Sequence, residues 1–169
     1  METTRIAVLS DTHFPARGSH LPERCVALIQ EADMVIHAGD HADLDAVAAL
    51  RALGTPVVAV HGNVDTAQVC DVLPRHTSVR AHGQTIAVVH DAGLRDGRLE
   101  RLRRAFPDAD GVIFGHSHIP LVERAPGRLL HPEPRQRDRS PPPAAPHHGD
   151  PRASRDRPAE IEIIVLDGP

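Results

Sequence analysis

Short apolar runs rich in β-branched residues alternate with amphipathic stretches along the first 130 residues. Ile6 to Leu9, Met34 to His37, Val57 to Val60, Ile86 to His90 and Val112 to Phe114 have the length and composition of buried strands. Between them lie three segments with helical spacing. Leu21 to Ala32 places Leu21, Cys25, Leu28 and Ile29 at that spacing, and Pro22 suits a first turn. Leu44 to Leu53 puts Leu44, Val47, Leu50 and Leu53 on one face and is closed by Gly54. Arg98 to Phe106 carries Leu99, Leu102 and Phe106 opposite a row of arginines. Strand–helix alternation of this kind predicts an α/β layered sheet, and 169 residues suffice for one domain spanning 1–169.

Composition removes several classes of function. A formal charge of −4 gives no electrostatic case for nucleic acid as the main partner, leaving it only as a possible substrate. No apolar run reaches the roughly 18–20 residues of a membrane span, so no membrane partner is expected. The N-terminus enters a strand-like run at once and lacks a leader pattern, which makes the cytoplasm the expected location. Cys25 and Cys70 are too few for a disulfide scaffold. All 19 basic residues are Arg, Tyr and Trp are absent, and the single Asn is Asn63, a bias that fits a GC-rich genome. The 13 histidines exceed an average share, and imidazole is the commonest protein metal ligand.

Residues 131–158 break the pattern. They hold 8 of the 16 prolines and contain no Val, Ile, Leu, Met or Phe, so as written they cannot bury a core. Ile161 to Leu166 then resumes a strand-like run. Residues 131–158 are expected to be a disordered or out-of-frame insert. GC-rich codons chosen for this stretch, read one nucleotide later, can yield an Asn-Pro-Gly-Ser element, an arginine run and an apolar strand start.

The chemistry gathers where the strand-like runs end. Ile6 to Ser10 leads into Asp11-Thr12-His13, Met34 to His37 into Gly39-Asp40, and Val57 to His61 into Gly62-Asn63-Val64-Asp65. Ile86 to Val89 leads into His90-Asp91, and Val112 to Phe114 into Gly115-His116-Ser117-His118. Ligands of open α/β sheets bind beyond the carboxyl ends of the strands, so five strands would deliver Asp, His, Asn and Gly to one rim. The adjacent glycines let the backbone turn sharply and approach a metal or phosphate closely. Each element alone is common. Together they occur in order, each after an apolar run, with 23 residues from Asp40 to Asn63, 27 from Asn63 to His90 and 26 from His90 to His116.

In these residues, and in Ile119-Pro120 after them, the chain resembles the calcineurin-like metallophosphoesterases, specifically the small single-domain phosphodiesterases of bacteria and archaea. The resemblance covers residues 4 to about 130 and the final strand-like run. It implies a four-layer sandwich, two mixed β-sheets flanked by helices. It also implies a ligand set: one metal ion on Asp11, His13 and His118, a second on Asn63, His90 and His116, and Asp40 between them. Asp40, Asn63 and His116 are then the catalytic candidates, with no organic cofactor. Imidazole with carboxylate and amide oxygens suits borderline transition metals, with Mn first and Fe, Zn, Ni or Co as alternatives. Two such ions clamp a phosphoryl group and acidify a shared water, so the implied reaction is in-line hydrolysis of a small phosphodiester.

One position departs from the family. Many members carry a His after Gly-Asn that protonates the leaving group, whereas this chain has Val64. His41 and Asp65 are the local candidates for that acid, against bland readings as a loop His and a turn Asp. His37 and His61 are either groups that orient ligands or packed core residues, and His20, His76 and His82 are expected at the surface. Asp43 is expected to cap the helix beginning at Leu44. Arg95, Arg98, Arg101, Arg103 and Arg104 form a basic helix face, solvated or available to an anion. Two other functions stay open: a non-catalytic scaffold, since a subunit of eukaryotic retromer uses this fold as an interaction surface, and a phosphomonoesterase. A homo-oligomer also stays open.

Overall fold

A computed structural model describes residues 4–13 and 21–118. His20, Ile119-Pro120, the 131–158 insert and the Ile161 to Leu166 run lie outside the described residues. Ten elements follow in order: β1 (Ile6–Leu9), α1 (Glu23–Gln30), β2 (Met34–His37), α2 (Leu44–Ala52), β3 (Val57–Ala59), α3 (Ala67–Val72), β4 (His76–Ala81), β5 (Gln84–Val89), α4 (Arg98–Ala105) and β6 (Gly111–Ile113).

The strands form two sheets rather than one. β1, β2 and β3 pair in that order, all parallel, with Val8 opposite Ile36 and Ile36 opposite Val58. In the second sheet β4 pairs antiparallel with β5, and β5 pairs parallel with β6. Strand alternation then decides the layers. Ile36, Ala38 and Val60 of the first sheet meet Val88 of the second, with Ile6, Met34, Val58, Val79 and Ile113 packed around them. The opposite face of the first sheet offers Val35 and Val57 to Cys25, Ile29 and Leu50 of α1 and α2. Ala59 packs with Val47, Val69 and Leu73. On the outer face of the second sheet Ala87 and Val112 meet Phe106 and Ala109, just beyond α4. Burying each of the larger side chains contributes about 1.5–3 kcal/mol. The helix–sheet–sheet–helix order is the four-layer sandwich expected from the sequence.

Two elements escape a reading by hydrophobic pattern. Among the described residues β4 is an edge strand, and its exposed positions are His76, Ser78 and Arg80, so it has too few apolar residues to stand out. Its partner makes it a strand. His82 (φ 47°) and Gly83 (φ 75°) form a two-residue loop with both centres left-handed, which suits a tight hairpin into β5. α3 has six residues, too few to display a helical period. The Asp43 side chain accepts the Ala46 N–H at 2.9 Å, so Asp43 is the α2 cap.

The arginine row of α4 is only partly solvated. Arg98 is buried, with its guanidinium 5.0 Å over the Phe114 ring. Arg101 folds back onto the preceding loop, donating to the carbonyls of Asp96 at 2.7 Å, Leu94 and Ala92. These contacts brace the loop after His90 and the strand end before His116.

Candidate metal centre

The loops after β1, β2, β3, β5 and β6 converge, so both sheets contribute to one site. Asp11, His13, Asp40, Asn63, His90, His116 and His118 are all brought together there. Atoms of Asp11, His13 and His118 lie within 4.8 Å of one another, as do atoms of Asp11, Asp40 and His90. Asn63 joins from β3: its Oδ1 is 3.0 Å from His90 Nε2 and 2.9 Å from His116 Nδ1. Asp40 Oδ2 stands between the two groups, 3.3 Å from His90 Nε2 and 4.0 Å from His13 Nε2. Asp11 Oδ1 is 3.2 Å from His118 Nε2, and its carboxylate accepts the His116 N–H and the Ser10 hydroxyl.

The backbone is bent to achieve this. Among the described residues seven non-glycine residues have positive φ, and five are Asp11, His13, Asp40, His116 and His118. Each left-handed non-glycine residue costs on the order of 1–3 kcal/mol and persists where the surroundings impose it. Hydrogen bonds between loops do so here: Asp11 N–H to Gly39 O at 3.0 Å, His13 N–H to Asp40 O at 3.1 Å and Gly115 N–H to His90 O at 3.0 Å. Three glycines are required by space. A Cβ on Gly62 would lie 2.0 Å from Asp40 Oδ1, one on Gly115 1.8 Å from Ser10 Oγ, and one on Gly39 2.8 Å from His90 Nδ1.

The donor chemistry fits a cation. His90 Nδ1 lies 2.8 Å from the Ala38 carbonyl, which only accepts, so that nitrogen carries the proton. His90 Nε2 then faces the Asp40 Oδ2 and Asn63 Oδ1 oxygens. His13 Nε2 is buried with no hydrogen-bond partner. Converging acceptors with an orphaned imidazole nitrogen are what divalent transition metals bind, and a neighbour fixing the far ring nitrogen is the usual support of such a ligand.

The other sequence candidates separate cleanly. His37 is a link between ligand loops: its Nδ1 accepts the Gly39 N–H at 3.2 Å and its Nε2 faces Thr12 Oγ1 at 3.1 Å. His41 is not a loop His at the surface. It is buried, stacks on His37 at 3.8 Å between ring centroids, and bonds the Val60 carbonyl through Nε2. Burial, reinforced by His41, His90 and His13, holds the His37 pKa well below its usual 6.5. Burial also lowers that of His41, against the opposing pull of Asp65. His61 Nδ1 lies 3.3 Å from the Gly62 carbonyl, and its backbone N–H donates to the Pro74 carbonyl at 3.1 Å. His76 and His82 are exposed. Asp65 accepts three backbone N–H groups, so neither His41 nor Asp65 is placed to protonate a leaving group. Val64 is half exposed beside Asn63, with its N–H donating to Asp40 Oδ1 at 3.1 Å.

Two stacked sheets with histidines and carboxylates on their common rim fit a metallophosphoesterase, and the chain belongs to the calcineurin-like phosphoesterase superfamily, whose domain matches residues 4–134. A probable metallophosphoesterase of Methanothermobacter thermautotrophicus is 30% identical over 127 residues, covering 74% of this chain and 73% of that protein. Vacuolar protein sorting 29 from Cryptosporidium parvum shares the fold at a TM-score of 0.64 and 23% identity, over 74% of this chain and 70% of that one. An archaeal phosphodiesterase shares it at 0.56 and 22%, over 72% and 78%. Among the described residues no helix is long and apolar enough to cross a membrane.

Proposed function

We propose that this protein is a phosphodiesterase that works with two divalent transition-metal ions, manganese first among them, on a small phosphodiester in the cytoplasm. In this reading Asp11, His13 and His118 hold one ion, Asn63, His90 and His116 the other, and Asp40 is shared. The observation that carries it is the convergence of His90 Nε2 on Asn63 Oδ1 at 3.0 Å and on Asp40 Oδ2 at 3.3 Å, beside the buried, unpartnered Nε2 of His13. The ions, when bound, supply Lewis acidity for the phosphoryl oxygens and a water acidic enough to attack at neutral pH.

The chain's own residues do the rest. Ala38 O accepts from His90 Nδ1 and so turns Nε2 toward the site. Asn63 turns its amide oxygen toward both His90 and His116, which points its amide group away from them. His116 and His118, two residues apart on one turn, are exposed and line the open side where a substrate enters. With Val64 beside Asn63 and with His41 and Asp65 committed to backbone partners, none of these three local positions is set to protonate a leaving oxygen. Esters with good leaving groups are therefore the expected substrates, and diesters are favoured over monoesters.

The complete set of donor residues speaks against a purely structural scaffold, which has no need of an acceptor cluster in left-handed backbone. The test is a hydrolysis screen of mono- and diesters with the metal-free chain reloaded with Mn, Ni, Zn or Mg. Metal-dependent cleavage of diesters is expected. No cleavage with any metal returns the scaffold reading, and preferential monoester cleavage replaces the diester reading.

A further inference from the structure

We propose that Asp65 is a positioning residue that locks two of the ligand-bearing loops together and so sets the place of Asp40 and Asn63; the inference rests on the metal reading above. Asp65 Oδ2 accepts the N–H of Gly62 at 2.7 Å and of Asp40 at 3.1 Å. Its Oδ1 accepts the N–H of Ala42 at 2.8 Å. One carboxylate thus holds the loop after β2 and the loop after β3.

The contact is reciprocal. Asp40 Oδ1 accepts the Val64 N–H at 3.1 Å, and the Thr66 N–H donates to the Ala42 carbonyl at 3.1 Å. Each loop therefore carries an aspartate that binds the backbone of the other. The residues held by Asp65 are those that need holding: Asp40 and Ala42 are both left-handed, with φ of 61° and 102°. The Ala42 methyl cannot hydrogen-bond to stabilise that conformation itself, so its N–H bond to Asp65 anchors it together with the Thr66 N–H bond to its carbonyl.

A simpler role as a helix cap does not account for these bonds. Asp65 precedes Thr66, the N-cap of α3, where an aspartate commonly binds the N–H groups of its own helix. All three bonds go instead to Asp40, Ala42 and Gly62. The carboxylate faces the loops of the site and not the helix that follows it.

The experiment compares the full chain with Asp65→Asn and Asp65→Ala by Mn²⁺ titration calorimetry, thermal unfolding and amide hydrogen exchange. Residues that orient a ligand typically govern metal affinity by about 10–100-fold. Asp65→Ala is expected to weaken Mn²⁺ binding by about that factor. Asp65→Asn should fall between, because it keeps one acceptor oxygen but turns an NH₂ toward an N–H donor. Both should unfold cooperatively, and exchange should accelerate at Asp40, Ala42 and Gly62 while Val35 and Val88 stay protected. Mn²⁺ affinity within twofold of wild type in Asp65→Ala overturns the proposal. So does loss of cooperative unfolding in both variants, which makes Asp65 a residue of the fold. Wild-type protein that takes up no Mn²⁺ overturns the metal reading and the positioning role with it, whereas unchanged exchange at the three amides overturns the loop clasp alone.

Discussion

Replacing Gly62 with alanine isolates the close packing of the ligand loops from every other property of the site. Gly62 is not left-handed, so Gly62→Ala adds a methyl group without adding backbone strain. That methyl would sit 2.0 Å from Asp40 Oδ1, 2.6 Å from the Asp40 backbone nitrogen and 2.8 Å from its Cγ, against a lower limit of 3.0 Å for real Cβ contacts. The Asp40 carboxylate must therefore move by about 1 Å, and because the 2.6 Å clash is with backbone, a rotamer change alone cannot relieve it and the two loops must part by about 0.4 Å as well. Overpacking of this kind costs typically ~1–3 kcal/mol of stability. A misplacement of about 1 Å at reacting groups costs roughly 10²-fold in rate. Gly111→Ala is the matched control, since nothing lies within 4 Å of its added Cβ. The assay is diester hydrolysis with Mn²⁺, read beside a thermal melt of each variant. Gly62→Ala should lose roughly two orders of magnitude in rate and remain folded, and Gly111→Ala should match wild type. Equal rates for Gly62→Ala and wild type would refute the requirement for this approach.

Asp40→Asn keeps the shape of a buried side chain at a strand end but removes its charge, so bound metal and turnover should both fall by roughly 10²-fold or more with the melt little changed. Two ions per chain by elemental analysis, with hydrolysis intact, would remove Asp40 from the shared position. Val64→His should raise the rate on diesters with poor leaving groups and leave activated aryl diesters nearly unchanged; equal effects on both would mean that a missing acid is not what limits the enzyme. For the metal-free protein, His37 and His41 have folded pKa values below the 6.5 of an unperturbed imidazole. Below about pH 6.5 the unfolded chain takes up protons that the folded chain refuses, so stability is full above that pH and declines by up to ~1.4 kcal/mol per pH unit for each group as acid is added. His41→Phe should flatten the dependence of the melting temperature between pH 6.5 and 5, and a parallel decline in both proteins would place the titration elsewhere.

Strand ends and the polar residues that gather beyond them were legible because each buried strand is a short apolar run that stops where a polar residue must leave the core. That rule located Asp11, Asp40, Asn63, His90 and His116 from local composition alone. β4 was hidden because an edge strand takes its conformation from its partner: His76, Ser78 and Arg80 become strand residues through β5 and the His82-Gly83 turn. Asp65 was legible only as a turn residue. Its three bonds reach back 25, 23 and 3 positions, and no local pattern encodes acceptance from Asp40 and Ala42.

His41 marks the same boundary. By itself it follows a Gly-Asp turn and reads as a loop residue, yet it is buried against His37 because the chain doubles back beneath the site. Arg98, read as part of a charged helix face, is buried over Phe114 for a similar reason. The sequence by itself determined the order of the strands and helices and the polar residues at the strand ends, because those follow from patterns within a few residues, while the choice of metal-holding residues among them came from the resemblance. The two stacked sheets and the place of Asp40 between His13 and His90 are implied by the resemblance and built by the tertiary structure, which alone decided which neighbour fixes each of these residues. Those outcomes depend on contacts between segments distant along the chain, where steric fit and hydrogen-bond geometry act together and leave no local trace.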